Sequence, residues 1–469
     1  MAWRRLIAPL LLLALGGCAA GPDYERPELE VPETYIQPVE QGESFANTPW
    51  WELFQDEQLQ ALIRIALEEN QDLGIAAARV EEFRAVLGVT RADQFPTVDI
   101  TATGAQAEGS SNVFPGNLPG IPNEKAENYR LSADVFWELD LFGRLRRSTE
   151  AARAQLLATE EAQRSITISL VASVASSYML LRDLDAQLEI ARRTEHTRTD
   201  SLGIIQARFD KGTVPKLDVN QAEIELAVAS AAVAAAERAV TQTENALAIL
   251  LGRNPGAVPR GQTLEQQTLP PGIPSGLPSE LLQRRPDVLA SEAELAAQTA
   301  RIGVAQAARW PSLSLTGALG FESDDLSILT DSGSDFWNAG LGIVQPLFNA
   351  GRNRSRVEVE EARTEQALLA YEQTVQRAFR EVEDALVAVR TYRTEHEARR
   401  RQVAAARSAA TLSRARYDGG VSSYLEVLDT ERSLFNAELT ESQTLRLYIN
   451  AIIELYKALG GGWNPESDE

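Results

Sequence analysis

The sequence has 469 residues, a formal net charge of −22, one cysteine and two histidines. Such an acidic excess argues against nucleic acid as a partner, and a lone cysteine excludes an internal disulfide. The length would suit roughly two to four domains, but an internal repeat, described below, predicts two intertwined halves.

The N-terminus predicts export and lipid attachment. Arg4-Arg5 precedes an apolar run from Leu6 to Leu15, which ends in Leu15-Gly16-Gly17-Cys18. The run is typical of a signal peptide, and no other apolar run approaches the ~18 residues of a membrane helix. Leu-Gly-Gly-Cys resembles the bacterial lipobox, in which the cysteine becomes the lipid-bearing first residue; the alternative is a chance cysteine. We predict a signal peptide at 1–17, a lipidated extended arm at 18–50, and no cofactor besides the covalent lipid on Cys18.

Compact structure is expected from residue 51. A helix is predicted from about Asp56, with a break near Asn70–Asp72 and an end near Asp93. Asp72 and its repeat counterpart Asp287 both have the character of N-cap residues, and Pro286 suits the first turn of a helix.

Apolar and polar residues alternate in four segments. The apolar series run over Val98–Ala102, Tyr129–Trp137, Leu313–Phe321 and Trp337–Ile343. Strands of about 10 residues with one apolar face are typical of outer-membrane barrels; a half-buried soluble sheet is the alternative. Four strands cannot close a barrel, because the smallest has about eight. Three chains, with 12 strands, suit a conduit better than two, since an eight-stranded barrel is filled by side chains.

Two long helices are predicted, from about Leu145 to Asp210 and from Arg352 to Tyr417. In the second, apolar residues recur at alternating spacings of three and four, which predicts coiled-coil packing. They are Leu368, Tyr371, Val375, Ala378, Val382, Ala385, Val389 and Tyr392. Leu170, Val174, Leu181, Leu184 and Leu188 hold the corresponding register in the first.

A glycine turn and a second helix follow each long helix. Gly419-Gly420 is a lone break between helical segments, and Ser422 or Ser423 can cap the returning helix. Gly420 lies 208 residues after Gly212 of the earlier turn, and this offset persists along both hairpins. The chain is therefore predicted to be a tandem duplication, with a first repeat at 51–252, a crossover at 253–280, a second repeat at 281–460 and a tail at 461–469.

The helix after Gly420 begins with an apolar residue and two acids, to which a resemblance given below assigns the role of a gate. Leu425, Glu426 and Asp429 are spaced to share a face of its first two turns. A solvated helix start is the main alternative, and an acid/base pair has little support. The first tip has Asp218 but Gln221 at the corresponding positions, so only the second contributes two acids. Threefold symmetry would place these acids around one axis, which favours cation binding.

Enzymatic chemistry has little support. His196 and His396 lie in highly charged helical stretches and are expected to be exposed. The sequence contains no Walker loop, dinucleotide motif or nucleophile elbow, so we predict no enzyme and no dedicated metal site. Two functions remain: a passive export conduit, or a structural envelope tether built from a lipid anchor and coiled coil. The paired amphipathic strands favour the conduit, because a tether does not need them.

Several motifs together carry a resemblance to a known family. They are Cys18 to Tyr24, Ala207-Arg208-Phe209 with its copy Ala415-Arg416-Tyr417, Arg285 to Val288, Tyr424 to Asp429, and Tyr456 to Trp463. None is specific alone. Together with the duplication, they cover nearly the whole chain, which resembles the TolC-like outer-membrane efflux proteins, in particular the lipoprotein branch that serves resistance-nodulation-division (RND) pumps.

The resemblance implies a mixed, mostly α fold. Three chains would form a 12-stranded outer-membrane β-barrel that continues into a long periplasmic α-helical barrel. It implies a lipid-anchored outer-membrane channel that exports drugs or other small solutes. A periplasmic adaptor protein, an inner-membrane RND pump and outer-membrane lipid would be its partners.

The resemblance also assigns roles at the hairpin tips. Leu425, Glu426 and Asp429 would form the periplasmic constriction, and Tyr417 would belong to its closure network. The adaptor would dock at the tips, whose residues are Gly212, Thr213, Val214, Gly419, Gly420, Val421 and Ser422. Some family members carry an arginine at position 422 that bonds this tyrosine. This chain has Ser422, so the resemblance does not extend to that contact.

Overall fold

The structure is a computed structural model that describes residues 19–37, 54–107, 126–267, 276 and 278–461. The signal peptide, Cys18 and most of the tail lie outside these residues, and the N-terminal arm lies partly outside them. The division into arm, repeats, crossover and tail stays a prediction.

Eight α-helices occur in the described residues. They are α1 (Glu57–Glu69), α2 (Gln71–Ala92), α3 (Arg144–Asp210), α4 (Lys216–Leu250), α5 (Leu281–Arg284), α6 (Pro286–Ala307), α7 (Arg352–Asp418) and α8 (Tyr424–Ala458). The predicted break near Asn70–Asp72, the helix start at Pro286 and both long helices are confirmed. The described part of the crossover contains a 3₁₀ turn at Leu264–Gln266.

The duplication is visible in the helix bounds. Helices α3 and α7 each have 67 residues, and α4 and α8 each have 35. Each end of the second pair lies 208 residues after its counterpart in the first. The repeat inferred from the sequence therefore runs without a gap over both hairpins.

The two predicted N-caps are wrong. The Asn70 side chain caps α2, because its Oδ1 accepts from the Leu73 backbone N–H at 3.0 Å. Its Nδ2 also donates to the Leu250 carbonyl at 2.9 Å, so tertiary packing fixes the choice of cap. Asp72 and Asp287 instead lie in the first turns of α2 and α6, where the helix dipole favours a carboxylate. Asp287 Oδ1 also accepts from the adjacent Val288 N–H at 3.0 Å.

Four strands form one antiparallel sheet in the order β1-β2-β3-β4. They are β1 (Thr97–Ala107), β2 (Ala126–Leu139), β3 (Ser312–Ser323) and β4 (Asp335–Val344). The register places Ile100, Ala133, Leu319 and Trp337 in one row across the sheet. The apolar positions of both repeats therefore share one face, and the prediction of four amphipathic strands is confirmed.

The apolar face of the sheet is not covered by the chain itself. Ile100 is 81% exposed and Trp337 is 80% exposed, and the same face carries Val98, Leu131, Leu319, Leu341 and Ile343 as exposed apolar residues. A contiguous exposed apolar surface marks contact with a partner or a membrane. The sheet also ends in two edge strands, β1 and β4, whose outer backbone groups need a partner.

The described chain divides into two compact units. One contains the described residues of Met1–Pro27, Val80–Ala158 and Ser291–Ala370, including the sheet. The other contains those of Glu28–Arg79, Thr159–Ala290 and Tyr371–Glu469, including α1, α4 and α8. Both units take segments from each sequence repeat, because the sheet and the helical core are each assembled from paired copies.

The core of the second unit confirms the coiled-coil register. Tyr371, Val375, Ala378, Val382 and Ala385 are all buried on α7. Helix α3 corrects one expectation, since it contains a further stretch apolar enough by composition to cross a membrane, of which 44% is buried. Much of that apolar character serves packing, because several α3 residues lie in the main hydrophobic cluster with α1, α4 and α8; these are Leu170, Val174, Tyr178, Met179 and Leu181.

Candidate gate at the helical hairpin tips

The second tip, residues 416–429, reverses the chain through a glycine. Gly420 has φ +74°, a conformation that side chains with a Cβ rarely adopt. The Gly420 N–H donates to the Tyr417 carbonyl at 3.0 Å, and the Val421 N–H donates to the Arg416 carbonyl at 3.0 Å, so the end of α7 is closed by backbone bonds. Ser423 occupies the N-cap position of α8, but its side chain makes no capping hydrogen bond.

The first tip, residues 208–218, has the same construction. Gly212 has φ +73°, and its N–H donates to the Phe209 carbonyl at 2.7 Å. Thr213 donates from both its backbone N–H and its Oγ1 to the Arg208 carbonyl, at 3.0 and 2.8 Å. Pro215 precedes α4 at its N-cap position. The two tips are therefore matched in backbone and differ mainly in side chains.

The proposed gate residues line the open side of the second tip. Leu425 is 57% exposed, Asp429 is exposed and Glu426 is partly exposed. Val427 and Leu428 between them point inward and are buried. The three candidate residues therefore lie on the side of α8 that this chain leaves at least partly uncovered, and their role as a gate stays a prediction.

Glu426 has a partner that helical spacing does not predict. Arg416, the third residue from the end of α7, donates from its Nε to Glu426 Oε1 at 2.9 Å. Both side chains are more than one third exposed, at 56% and 41%, so the pair is weak. Asp429 remains exposed on the same face, and the two predicted acids therefore differ in their surroundings within one chain.

Tyr417 lies at the contact between the two hairpins. Its ring is 5.4 Å from the ring of Tyr424, and the Arg208 guanidinium lies 5.0 Å from its centroid. The Tyr417 hydroxyl is buried and has no hydrogen-bond partner among the described residues. Burial raises the pKa of the neighbouring Tyr424 to about 12, so that hydroxyl stays neutral at physiological pH.

A buried ionic cluster lies farther along the helices from the tips. Glu225 on α4 accepts from Arg198 on α3 at 3.1 Å, and their side chains are 6% and 4% exposed. Glu225 also accepts from Arg432 Nε on α8 at 2.5 Å. Arg414 on α7 donates to Ser201 Oγ on α3 at 2.9 Å. These contacts join all four long helices, and the sequence spacing gave no sign of them.

Burial shifts the pKa values of two groups in this cluster. It raises the pKa of the Glu431 carboxyl, although Arg414 and Arg198 oppose that shift. It lowers the pKa of the Arg198 guanidinium, against the opposing effect of Glu225. Both shifts have the sign expected when a charged group loses water.

The two histidines differ in their surroundings. His196 is 81% exposed, as expected. His396 is only 16% exposed and its Nε2 lies 2.8 Å from Glu441 Oε1, so the expectation of an exposed residue is wrong for it; a residue on α8 covers it. Within one chain, the described residues contain no group of three or more His, Cys, Asp or Glu that could hold a metal ion. Cation binding at Glu426 and Asp429 stays a prediction for several chains.

The N-terminal arm is held by close contacts with Arg147 and Gly303. Arg147, only 6% exposed, donates to the carbonyls of Ala20 at 3.1 Å and Gly21 at 3.3 Å, and to Asp23 Oδ1 at 2.6 Å. A Cβ at Gly303 would lie 2.6 Å from the Ala20 carbonyl oxygen, so only glycine leaves room for the arm. Residues next to the predicted lipid attachment point are thus fixed by side-chain and backbone contacts.

The described features match one family along both repeats. The sequence profile of outer membrane efflux proteins matches residues 62–253 and 277–461. The chain belongs to the outer membrane efflux protein family. The solvent efflux pump outer membrane protein SrpC of Pseudomonas putida is 38% identical over 462 residues, which cover 97% of each chain. The cation efflux system protein CusC of Escherichia coli is 38% identical over 467 residues, covering 98% of this chain and 99% of the relative.

A solved structure gives the same result for the fold. The Campylobacter jejuni CmeC outer membrane channel has a TM-score of 0.90 and 27% sequence identity, and the match covers 96% of each chain. The protein is therefore an outer-membrane efflux channel, the outer-membrane component of an efflux system. The conduit interpretation is confirmed over the structural tether.

Proposed function

We propose that three copies of this chain form one channel, with a 12-stranded barrel in the outer membrane and a helical tunnel in the periplasm. The observation that carries the proposal is a four-stranded sheet with two free edges and one exposed apolar face. Joining the β1 edge of one copy to the β4 edge of the next satisfies the edge hydrogen bonds. It also turns the apolar face toward lipid and the polar face toward a lumen.

The tips of the helical hairpins are proposed to close this channel at rest. Three copies of Leu425 would form an apolar layer, and three copies each of Glu426 and Asp429 would place six carboxylates beside it. The exposure of Leu425 and Asp429 in one chain supports the proposal, because side chains that line a shared axis are left open by any single copy. Repulsion among the acids would favour a bound cation. Tyr417 would help to hold the closed tips through its contacts with the other hairpin.

The tips are also the proposed docking point for a periplasmic adaptor, which would connect the channel to an inner-membrane RND pump. Gly212 and Gly420 keep both turns compact, and Val421 is 68% exposed at the second tip. Relatives of similar identity are named for the efflux of solvents and of cations. We propose accordingly that this channel passes drugs or other small solutes without itself selecting them chemically.

Lipid on Cys18 is proposed to anchor the N-terminus. The clamp formed by Arg147 and Gly303 supports this, because it holds Ala20 only two residues from the cysteine. Replacing Cys18 by Ser should abolish acylation and processing at this site. Continued incorporation of radiolabelled palmitate into that variant would contradict the proposal.

Mass and conductance measurements together test the proposed channel. Chemical cross-linking in detergent should yield products up to three chains and no larger, and the purified protein should open discrete pores in planar bilayers. A functional monomer by mass measurement would contradict the shared barrel. A trimer that never conducts, even after both acids of the gate are replaced, would contradict the conduit.

A further inference from the structure

Each long helix ends in an arginine, an aromatic residue and an aspartate. The first motif is Arg208-Phe209-Asp210 at the end of α3, and the second is Arg416-Tyr417-Asp418 at the end of α7. They occupy equivalent positions of the duplication, 208 residues apart. The backbones of the two tips also match, so the two motifs are presented in the same way.

Within one chain, the first motif contacts the second. Arg208 forms an ion pair with Asp418 at 3.5 Å, and its guanidinium lies 5.0 Å from the Tyr417 ring. One arginine thus reaches both the aromatic residue and the aspartate of the next motif. This contact ties the end of α3 to the end of α7.

The reverse contact is not made within the chain. Arg416 turns instead to Glu426 of its own hairpin at 2.9 Å. Asp210 is exposed and accepts from Gln206, one turn earlier on its own helix, at 2.9 Å. The Phe209 ring has Lys216 of its own tip 5.6 Å away. A single chain can close only one of two equivalent junctions, because its two hairpins meet once.

We propose that Arg416 binds Phe209 and Asp210 of the neighbouring chain, and that six such motifs form a closed ring at the tips. The inference rests on the proposed channel of three chains. Three junctions of the ring would then lie within chains and three between chains. Each arginine would reach the aromatic residue and the aspartate of the next motif, as Arg208 does in this structure. The partner surface is the first tip of a second copy.

The duplication singles out this junction. The deeper cluster cannot be repeated between chains, because the counterparts of Arg198, Glu225 and Arg432 are Ala406, Ser433 and Ile224. Ile224, the counterpart of Arg432, is 57% exposed, so an apolar side chain lies where a contact between chains would require an arginine. The motif at the tips, in contrast, keeps its arginine, aromatic residue and aspartate in both copies. Of these two sites, only the tips therefore keep complementary charges in both copies of the repeat.

The proposed contact also changes the gate. Arg416 would leave Glu426 when it binds Asp210 of the neighbouring chain, so the glutamate would be freed to join Asp429 in the acid ring. Separation of the tips would let Arg416 return to Glu426 and neutralise one acid per chain. Closure of the tips would thus be coupled to the number of free carboxylates at the constriction.

Cross-linking with a short bismaleimide tests the proposal directly. In the variant Asp210→Cys, Arg416→Cys, we expect products of two and three chains, since the reactive pair faces a neighbour. In the matched control Arg208→Cys, Asp418→Cys, we expect a single cross-linked chain of altered mobility. Links confined to single chains in the first variant, in a preparation shown by native mass measurement to be trimeric, would overturn the proposal. A preparation without trimers would instead count against the proposed channel.

Charge exchange gives a second measurement. Asp210→Arg alone should weaken trimers, and Arg416→Asp added to it should restore them, by roughly two- to fivefold in the association constant per junction. Asp210→Arg also tests the contact without touching the Glu426 pair. The proposal would be contradicted if the exchanged pair did not restore trimers and if both cysteine pairs formed cross-links only within single chains. The tips would then meet through other residues.

Discussion

Glu225 on α4 and Arg198 on α3 form an ion pair at 3.1 Å with both side chains almost fully buried. Arg198 also donates to the Glu225 backbone carbonyl at 2.7 Å, and Arg432 on α8 donates to the Glu225 carboxylate. A buried charge is tolerated only when it is paired and hydrogen-bonded. The cluster therefore fixes the relative position of α3, α4 and α8, which support the tips.

Removing one member of the cluster of Glu225, Arg198 and Arg432 should destabilise the helical unit. We expect Glu225→Ala to cost about 3–5 kcal/mol, because it leaves Arg198 buried without its carboxylate. Arg432→Ala should cost less, about 1 kcal/mol, since that arginine is 48% exposed. Unfolding followed by helical circular dichroism in detergent measures both. Equal effects of the two variants would contradict the ranking. The double variant Arg198→Met, Glu225→Leu should recover most of the loss, because it removes both buried charges.

The raised pKa of Glu431 predicts a specific pH dependence. A carboxyl whose pKa is higher in the folded state binds its proton more tightly there, so its contribution favours folding at low pH and is lost as pH rises through the folded-state pKa. Glu431→Gln should therefore stabilise the protein at neutral pH, and the gain should vanish below the ordinary glutamate pKa of about 4.3. Glu223→Gln, at the exposed counterpart position on α4, is the matched control and should change little at any pH. A gain in stability of Glu431→Gln that grows on acidification would contradict the prediction.

The gate proposal predicts the behaviour of the two acids. In Glu426→Ala, Asp429→Ala we expect higher resting conductance and loss of block by divalent or trivalent cations, because the carboxylates that hold a cation and contact neighbouring chains are gone. The exposed Arg416–Glu426 pair accounts for no more than about 1 kcal/mol, so folding should be retained. Asp218→Ala at the first tip should do much less, since Gln221 leaves only one acid at the two positions that correspond to Glu426 and Asp429. Unchanged cation block in the double variant, or equal effects at both tips, would place the closure elsewhere.

The clamp on the N-terminal arm predicts an effect of a single methyl group. Gly303→Ala should displace the arm, because the added Cβ would lie 2.6 Å from the Ala20 carbonyl oxygen and 2.9 Å from Arg147 Cγ. Limited proteolysis should then cut within residues 19–27 faster than in the parent protein. Gly88→Ala is the control: it also lies in a 22-residue helix and nothing lies within 4 Å of its added Cβ. An arm equally protected in both variants would show that the clamp does not hold it.

Much of the fold follows from local pattern. The bounds of α3 and α7, the break between α1 and α2 and the four strands were all indicated by periodicity and by glycine or proline. These features depend on neighbours within a few residues, which one sequence contains in full. The shared face of Leu425, Glu426 and Asp429 belongs to the same group, because helical spacing alone sets it.

The sequence by itself determined the duplication, the secondary structure and the family. Repeated motifs, apolar periodicity and turn residues are local features that can be recognised in the sequence alone. Only the tertiary structure decided the partners. Arg416 reaches Glu426 across a turn, Asn70 rather than Asp72 caps α2 because it also bonds the end of α4, and Arg147 holds an arm more than 120 residues away. Arg432 meets Glu225 at a separation of 207 residues. Such contacts depend on which helix faces pack together, and that is decided by burial of the whole apolar surface rather than by any local pattern.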